Sequence, residues 1–71
     1  MMSAAIMPPK ISMAAARVNA GMTQKEAAKE LNVTPLTLRN WETGNTMPSY
    51  KKAEEMADLY QYPLDYIFFG K

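Results

Sequence analysis

The chain contains neither cysteine nor histidine. Without thiols there is no disulfide, no thiolate nucleophile and no cysteine-held zinc. Without imidazole the usual general base and the commonest metal ligand are both missing. No apolar run is long enough to span a membrane, and the opening Met1 to Pro9 segment lacks the basic start and the long apolar stretch of a signal peptide. The seven acidic residues are each accounted for as a helix cap, a partner for an arginine or part of a solvated helix face. The composition therefore excludes most enzyme classes, and the chain reads as a non-enzyme with no metal and no cofactor.

Seventy-one residues make one domain, and a chain of this size buries only about 60% of the surface its unfolded form exposes. Stability is then marginal, and a dimer interface adds usefully to it. The net charge of +1 is small, but it is unevenly spread. Residues 1 to 53 hold seven basic groups against three acidic ones, giving +4, whereas residues 54 to 71 hold Lys71 against Glu54, Glu55, Asp58 and Asp65, giving −3. A positive front and a negative back orient a protein on a polyanion. The alternative is ordinary helix-surface charge.

The most informative stretch runs from Thr23 to Glu42. Thr23-Gln24-Lys25-Glu26 has the form of a capping box, so a helix starts at Thr23. It should stop at Asn32, because asparagine tolerates the left-handed conformation that ends many helices. Thr34 is a good N-cap for the next helix, with Pro35 at the first helical position, where the missing N–H costs nothing. Two short helices joined by so brief a turn form a helix-turn-helix. At about 100° per residue, Leu36, Arg39, Asn40 and Thr43 share one face of the second helix, while Leu38 and Trp41 lie on the other. Burial of the Leu38 and Trp41 face leaves the first face free, and a DNA major groove admits one helix. Trp41 has the option of stacking on a base, but its place on the inner face favours burial.

The chain resembles the helix-turn-helix family of phage repressors, Cro proteins and related bacterial regulators. The resemblance is carried by Thr23-Gln24, Ala28, Leu31-Asn32-Val33-Thr34, Trp41-Glu42-Thr43-Gly44, Pro48, Met56-Ala57 and Leu64-Asp65, over roughly residues 11 to 70. Asn32 stands where the family usually has glycine, Ala27 where it has a larger apolar residue, and Pro63 where a serine or threonine often caps the last helix. Pro35 and Leu36 replace frequent polar readers. The resemblance implies an all-α, five-helix, lambda-repressor-like DNA-binding domain with the helix-turn-helix at helices two and three. Residues 1–9 then form a flexible N-terminal segment, with an arm toward DNA or a partner subunit as its other reading, and residues 10–71 form the domain.

The resemblance also supplies roles. The first helix, expected over Lys10 to Ala20, has two possible inner faces: Ile11, Ala14, Ala15, Val18 and Met22, or the family's Met13, Ala16, Arg17 and Ala20. The second is preferred because it directs Arg17 toward Glu42 in a structural ion pair. Leu36, Arg39, Asn40 and Pro35 are the expected base readers: Asn40 suits adenine, Arg39 guanine or a phosphate, and Leu36 a thymine methyl. Gln24, at the electropositive start of the second helix, is an expected phosphate contact. Thr34, Thr37, Thr43, Asn45, Lys25 and Lys51 join it, with Thr46 and Lys52 as weaker candidates. Ser49 should cap a fourth helix reaching about Tyr60, with Tyr50, Ala53, Met56, Ala57 and Tyr60 inward. A fifth helix should run from Pro63 to Phe69 and stop at Gly70, with Leu64, Ile67 and Phe68 closing the core. Tyr62, Tyr66 and Phe69 exceed what so short a helix can bury, and are the expected dimer interface.

The expected function is a sequence-specific DNA-binding transcriptional regulator of repressor or Cro type, cytoplasmic and nucleoid-associated, holding double-stranded DNA as a homodimer. The alternative is a protein-interaction module on the same fold, such as an antitoxin or a co-regulator with a protein partner. Its basis is the modest net charge and the apolar Pro35-Leu36 start of the reading helix.

Overall fold

A computed structural model describes residues 8–69. A two-residue strand, β1 (Ile11–Ser12), leads into α1 (Met13–Asn19). Helices α2 (Gln24–Leu31), α3 (Pro35–Thr43) and α4 (Tyr50–Tyr60) follow, then a single 3-10 turn (Leu64–Tyr66) and a second short strand, β2 (Ile67–Phe68).

Local chemistry explains where each helix begins. Ser12, Thr23, Thr34 and Ser49 are all extended N-caps whose hydroxyls accept from the backbone N–H three residues on. At Thr23 the capping box is complete: Thr23 N–H donates to Glu26 Oε1 at 2.9 Å, and Glu26 N–H donates to Thr23 Oγ1 at 3.1 Å. Pro35 occupies the first turn of α3, where no N–H is required.

Every helix also ends in the same way. Gly21, Asn32, Gly44 and Gln61 take left-handed backbone angles, and the N–H groups of Met22, Val33, Asn45 and Tyr62 then reach back to Arg17, Ala28, Asn40 and Ala57 carbonyls at 2.9 to 3.2 Å. This is the Schellman closure, which satisfies carbonyls that the helix leaves without partners. Left-handed geometry costs an ordinary L-residue roughly 1 to 2 kcal/mol. Gln61, at φ 55, carries that cost with no compensating side-chain bond among the described residues. Gln61→Gly should therefore raise stability by about 0.5 kcal/mol, once glycine's larger unfolded-state entropy is subtracted. A lower denaturant midpoint in the variant would contradict this.

The segment after Pro63 departs from expectation. The chain has four α-helices among the described residues, not five: Pro63 keeps an extended ψ of 132, one 3-10 turn follows, and Ile67 returns to φ −110 and ψ 127. A helix so short gains too few hydrogen bonds to offset its nucleation, and Tyr66-Ile67-Phe68-Phe69 is a β-favouring sequence. It pairs in parallel with β1, Ile11 opposite Ile67 and Ser12 opposite Phe68. The same pairing shortens the first helix, which starts at Met13 rather than Lys10 because Ser12 is both strand residue and cap. Gly70 and residues 1 to 7 of the expected N-terminal segment lie outside the described residues.

The core gathers Met13 and Ala16 from α1, Ala27, Ala28 and Leu31 from α2, and Leu38 and Trp41 from α3; Met56, Ala57 and Tyr60 from α4 and Ile67 from β2 complete it. Ala27 and Ala28, both fully buried, let α2 approach its neighbours closely. In α1 the inner face is that of Met13, Ala16 and half-buried Arg17, whereas Val18 is 61% exposed. Ala20, the C-cap, is exposed. Two other expected core residues also face solvent. Tyr50 is 72% exposed because it is the first residue of α4, where a helical side chain leans back over the preceding loop rather than onto the helix packed below. Phe68 is 49% exposed because strand alternation turns it outward when Ile67 turns in. The Lys10 ammonium lies over its ring, 5.0 Å from the centroid.

Candidate nucleic-acid interface

The helix-turn-helix is held from beneath by a polar clamp. Arg17 Nε donates to Glu42 Oε2 at 2.8 Å and Nη2 donates to Oε1 at 3.3 Å. Its Nη1 donates to the Met22 carbonyl at 2.8 Å, in the turn before α2. Gln24 Nε2 donates to Glu42 Oε1 at 2.9 Å. One carboxylate at the end of α3 thus receives α1 through Arg17 and the start of α2 through Gln24. The pair is largely out of water, its side chains 13% and 5% exposed, so the bond is a fork in a low-dielectric setting rather than a screened surface contact.

Tyr60 lies beside this clamp. Its hydroxyl is buried with no hydrogen-bond partner among the described residues. Burial first, and then the Glu42 carboxylate, push its pKa up to about 12, while Arg17 pulls the other way. The unfolded chain releases this proton near pH 10, before the folded chain does. Stability is thus unaffected below pH 10 and falls as pH rises from there through about 12. Tyr60→Phe removes an unsatisfied buried hydroxyl, and should raise stability at neutral pH by about 1 kcal/mol. It should also flatten the alkaline decline. Melting curves at pH 7 and pH 11 check both, and a variant less stable than wild type at pH 7 contradicts them.

On the outer surface, Pro35, Leu36, Arg39 and Thr43 are exposed and Asn40 is half-buried, with Leu36 at 63%. Leu38 and Trp41 face inward, fully and 93% buried in turn when their exposures of 0% and 7% are subtracted from the whole. Arg39 makes no ion pair among the described residues. The hydroxyls are less free. Thr34 Oγ1 donates to Thr37 Oγ1 at 2.9 Å while capping α3, and Thr43 Oγ1 donates to the Arg39 carbonyl at 3.0 Å. Lys25, Lys29 and Lys51 are exposed.

Three polar groups have partners that sequence reasoning missed. Gln24, expected on a phosphate, has an amide N–H on Glu42. Lys52, another phosphate candidate, gives its ammonium to the Leu31 carbonyl at 2.6 Å and to Glu55 at 3.0 Å. It neutralises the negative end of α2 and ties α4 to it. The Lys52 and Glu55 spacing on one helix face was the available signal. Asn45 Nδ2 donates to Asn40 Oδ1 at 3.3 Å. At the chain end, Tyr62, Tyr66 and Phe69 are half-buried. Tyr62 and Phe69 pack on the core, and the Tyr62 hydroxyl donates to the Pro9 carbonyl. The most exposed ring of that region belongs to Phe68.

Two capped helices joined by a left-handed turn, the second with one buried and one solvent-facing side, define a helix-turn-helix protein. A family model described as helix-turn-helix matches residues 13–67. The chain belongs to that family, in its XRE-type, Cro/CI-like form. The family is one of DNA-binding transcription regulators and is typically non-enzymatic. No curated protein and no solved structure matches the chain. Among the described residues no helix is long and apolar enough to cross a membrane.

Proposed function

We propose that the protein is a repressor or Cro-like regulator that recognises a specific operator sequence as a two-fold dimer, with α3 in the major groove. The observation that carries this reading is the two-sided character of α3, on which Leu36 and Arg39 face solvent beside half-buried Asn40 while Leu38 and Trp41 are buried. Arg39 and Asn40 supply the hydrogen bonds to base edges, and Leu36 with Pro35 supplies an apolar contact suited to a thymine methyl. Lys25 and Lys51, both exposed, neutralise phosphates. The second amide N–H of Gln24, the Thr37 and Thr43 side chains, Thr34 and the Asn45 backbone region position the backbone without reading sequence. Residues 10–71 act as the DNA-binding unit.

The dimer is built at the chain end, where Phe68 is exposed beside half-buried Tyr66, Phe69 and Tyr62. A two-fold axis there places the two α3 helices on half-sites about 34 Å apart, one turn of DNA.

Exposed apolar Met47 and Tyr50, at 55% and 72%, favour a second reading, in which a protein partner such as a toxin covers this side of the domain. Salt separates the two. On the DNA reading the logarithm of affinity falls against the logarithm of salt with a slope near −0.9 per neutralised phosphate, and Lys51→Ala reduces that slope by about one unit. Binding to duplex DNA that hardly changes with salt contradicts the DNA reading.

A further inference from the structure

We infer that the first turn of α3 reads the C5-methyl group of a pyrimidine and not its hydrogen-bonding edge. On this inference 5-methylcytosine serves there as well as thymine, and cytosine methylation of the operator tightens binding. It rests on the reading that α3 enters the major groove.

The first turn of α3 presents little that can hydrogen-bond to a base. Pro35 has neither a backbone N–H nor a polar side chain, and Leu36 beside it is 63% exposed. The flanking hydroxyls are engaged at the helix cap. Thr34 Oγ1 accepts from the Thr37 N–H at 3.1 Å and lies 2.9 Å from Thr37 Oγ1. Exposed Arg39 and half-buried Asn40 follow one turn further on, so the outward face has an apolar start and a polar middle. In a recognition helix the N-terminal residues are the ones that meet base edges. The apolar start is therefore part of the readout.

Pyrimidines differ in the major groove in two independent ways. Thymine shows an O4 acceptor and a methyl group at C5, whereas cytosine shows an N4 donor and no methyl. A leucine side chain has nothing to give to O4 and nothing to take from N4, so it does not distinguish the two edges. It does distinguish the methyl, because contact between the two removes apolar surface from water. Uracil is thymine without the methyl, and 5-methylcytosine is cytosine with it. Leu36 thus groups thymine with 5-methylcytosine, and uracil with cytosine. A polar reader would group them the other way, thymine with uracil and cytosine with 5-methylcytosine. Burial of one methyl group gives about a fourfold gain in affinity, so two half-sites together give about fifteenfold. Methylating a cytosine that faces Leu36 in each half-site then raises occupancy with no change of sequence.

The experiment measures the affinity of the full chain for operator duplexes by fluorescence anisotropy. A selection from random duplex DNA by wild type and Leu36→Ala locates the position in each half-site where only the wild type prefers thymine. Because Leu36 is exposed, the variant should melt as wild type does. Duplexes with thymine, uracil, cytosine or 5-methylcytosine at that position in both half-sites are then compared. Wild type should bind thymine about fifteenfold tighter than uracil, and 5-methylcytosine about fifteenfold tighter than cytosine. Leu36→Ala should lose most of both differences. If both persist in Leu36→Ala, DNA shape or another side chain senses the methyl and the inference is wrong. It is equally wrong if no such thymine is selected, or if wild type binds uracil as tightly as thymine, the result expected where Leu36 serves a protein partner. In those cases the reading of α3 stands as long as Arg39→Ala and Asn40→Ala relax preference elsewhere in the site. If wild type enriches no site at all, the reading of α3 fails and this inference fails with it.

Discussion

Glu42→Ala should cost about 3 to 5 kcal/mol of stability, the usual consequence of deleting one member of a buried ion pair. The reason is what the substitution leaves behind. Arg17, whose side chain is 13% exposed in the intact pair, would be left charged with no carboxylate, and the Gln24 amide would lose its acceptor. A domain of this size holds on the order of 5 kcal/mol in all, so much of the population should be unfolded at 37 °C. Thermal melting followed by circular dichroism measures it directly. Removing both charges with Arg17→Met and Glu42→Leu together should recover most of the loss, because no uncompensated charge is then buried. A Glu42→Ala melting temperature within a few degrees of wild type would mean that the clamp does not hold the three helices.

Trp41→Ala should cost a similar amount, about 3 to 5 kcal/mol, by leaving a large cavity at the base of α3. Trp41 is 7% exposed and packs with fully buried Leu38. Trp41→Phe, which keeps an aromatic ring in the same place, should cost clearly less. The measurement is chemical denaturation of all three proteins. If Trp41→Ala folds as well as wild type and loses only nucleic-acid binding, the indole serves as a stacking platform and not as core.

The inward placement of Trp41 could be read from its spacing and the pairing of Glu42 with Arg17 from the family resemblance, and the limits of those readings are informative. Helix starts were legible at Thr23, Thr34 and Ser49 because a cap is a local event, a hydroxyl and an N–H three residues apart. Ends were legible at Gly21, Asn32 and Gly44, whose residue types suit a left-handed turn, but nothing about glutamine marks Gln61 as one. The strand pair was invisible for a different reason. Ile11 finds Ile67 only after the whole bundle has folded between them, and two residues have no periodicity to detect. Hence the expectation of a first helix that runs through Ser12 and of a fifth that runs from Pro63 to Phe69. The same limit governs the site. The outward set of Leu36, Arg39 and Asn40 followed from helical angle, whereas the partners of Gln24, Lys52 and Asn45 did not, because Glu42 and the Leu31 carbonyl lie on other elements. A place in a familiar motif suggests a phosphate contact for Gln24, Lys52 and Asn45, while the partner that each finds within the chain is set by the fold.

The central claim is that the outward face of α3 reads bases, and the measurement that tests it most directly is a selection from random duplex DNA by wild type, Arg39→Ala and Asn40→Ala. The account predicts a two-fold-symmetric site for the wild type. Each substitution should relax preference at one position per half-site, costing about 1 to 3 kcal/mol against the preferred base. A wild type that enriches no sequence, or variants that keep its preferences unchanged at every position, would contradict the account.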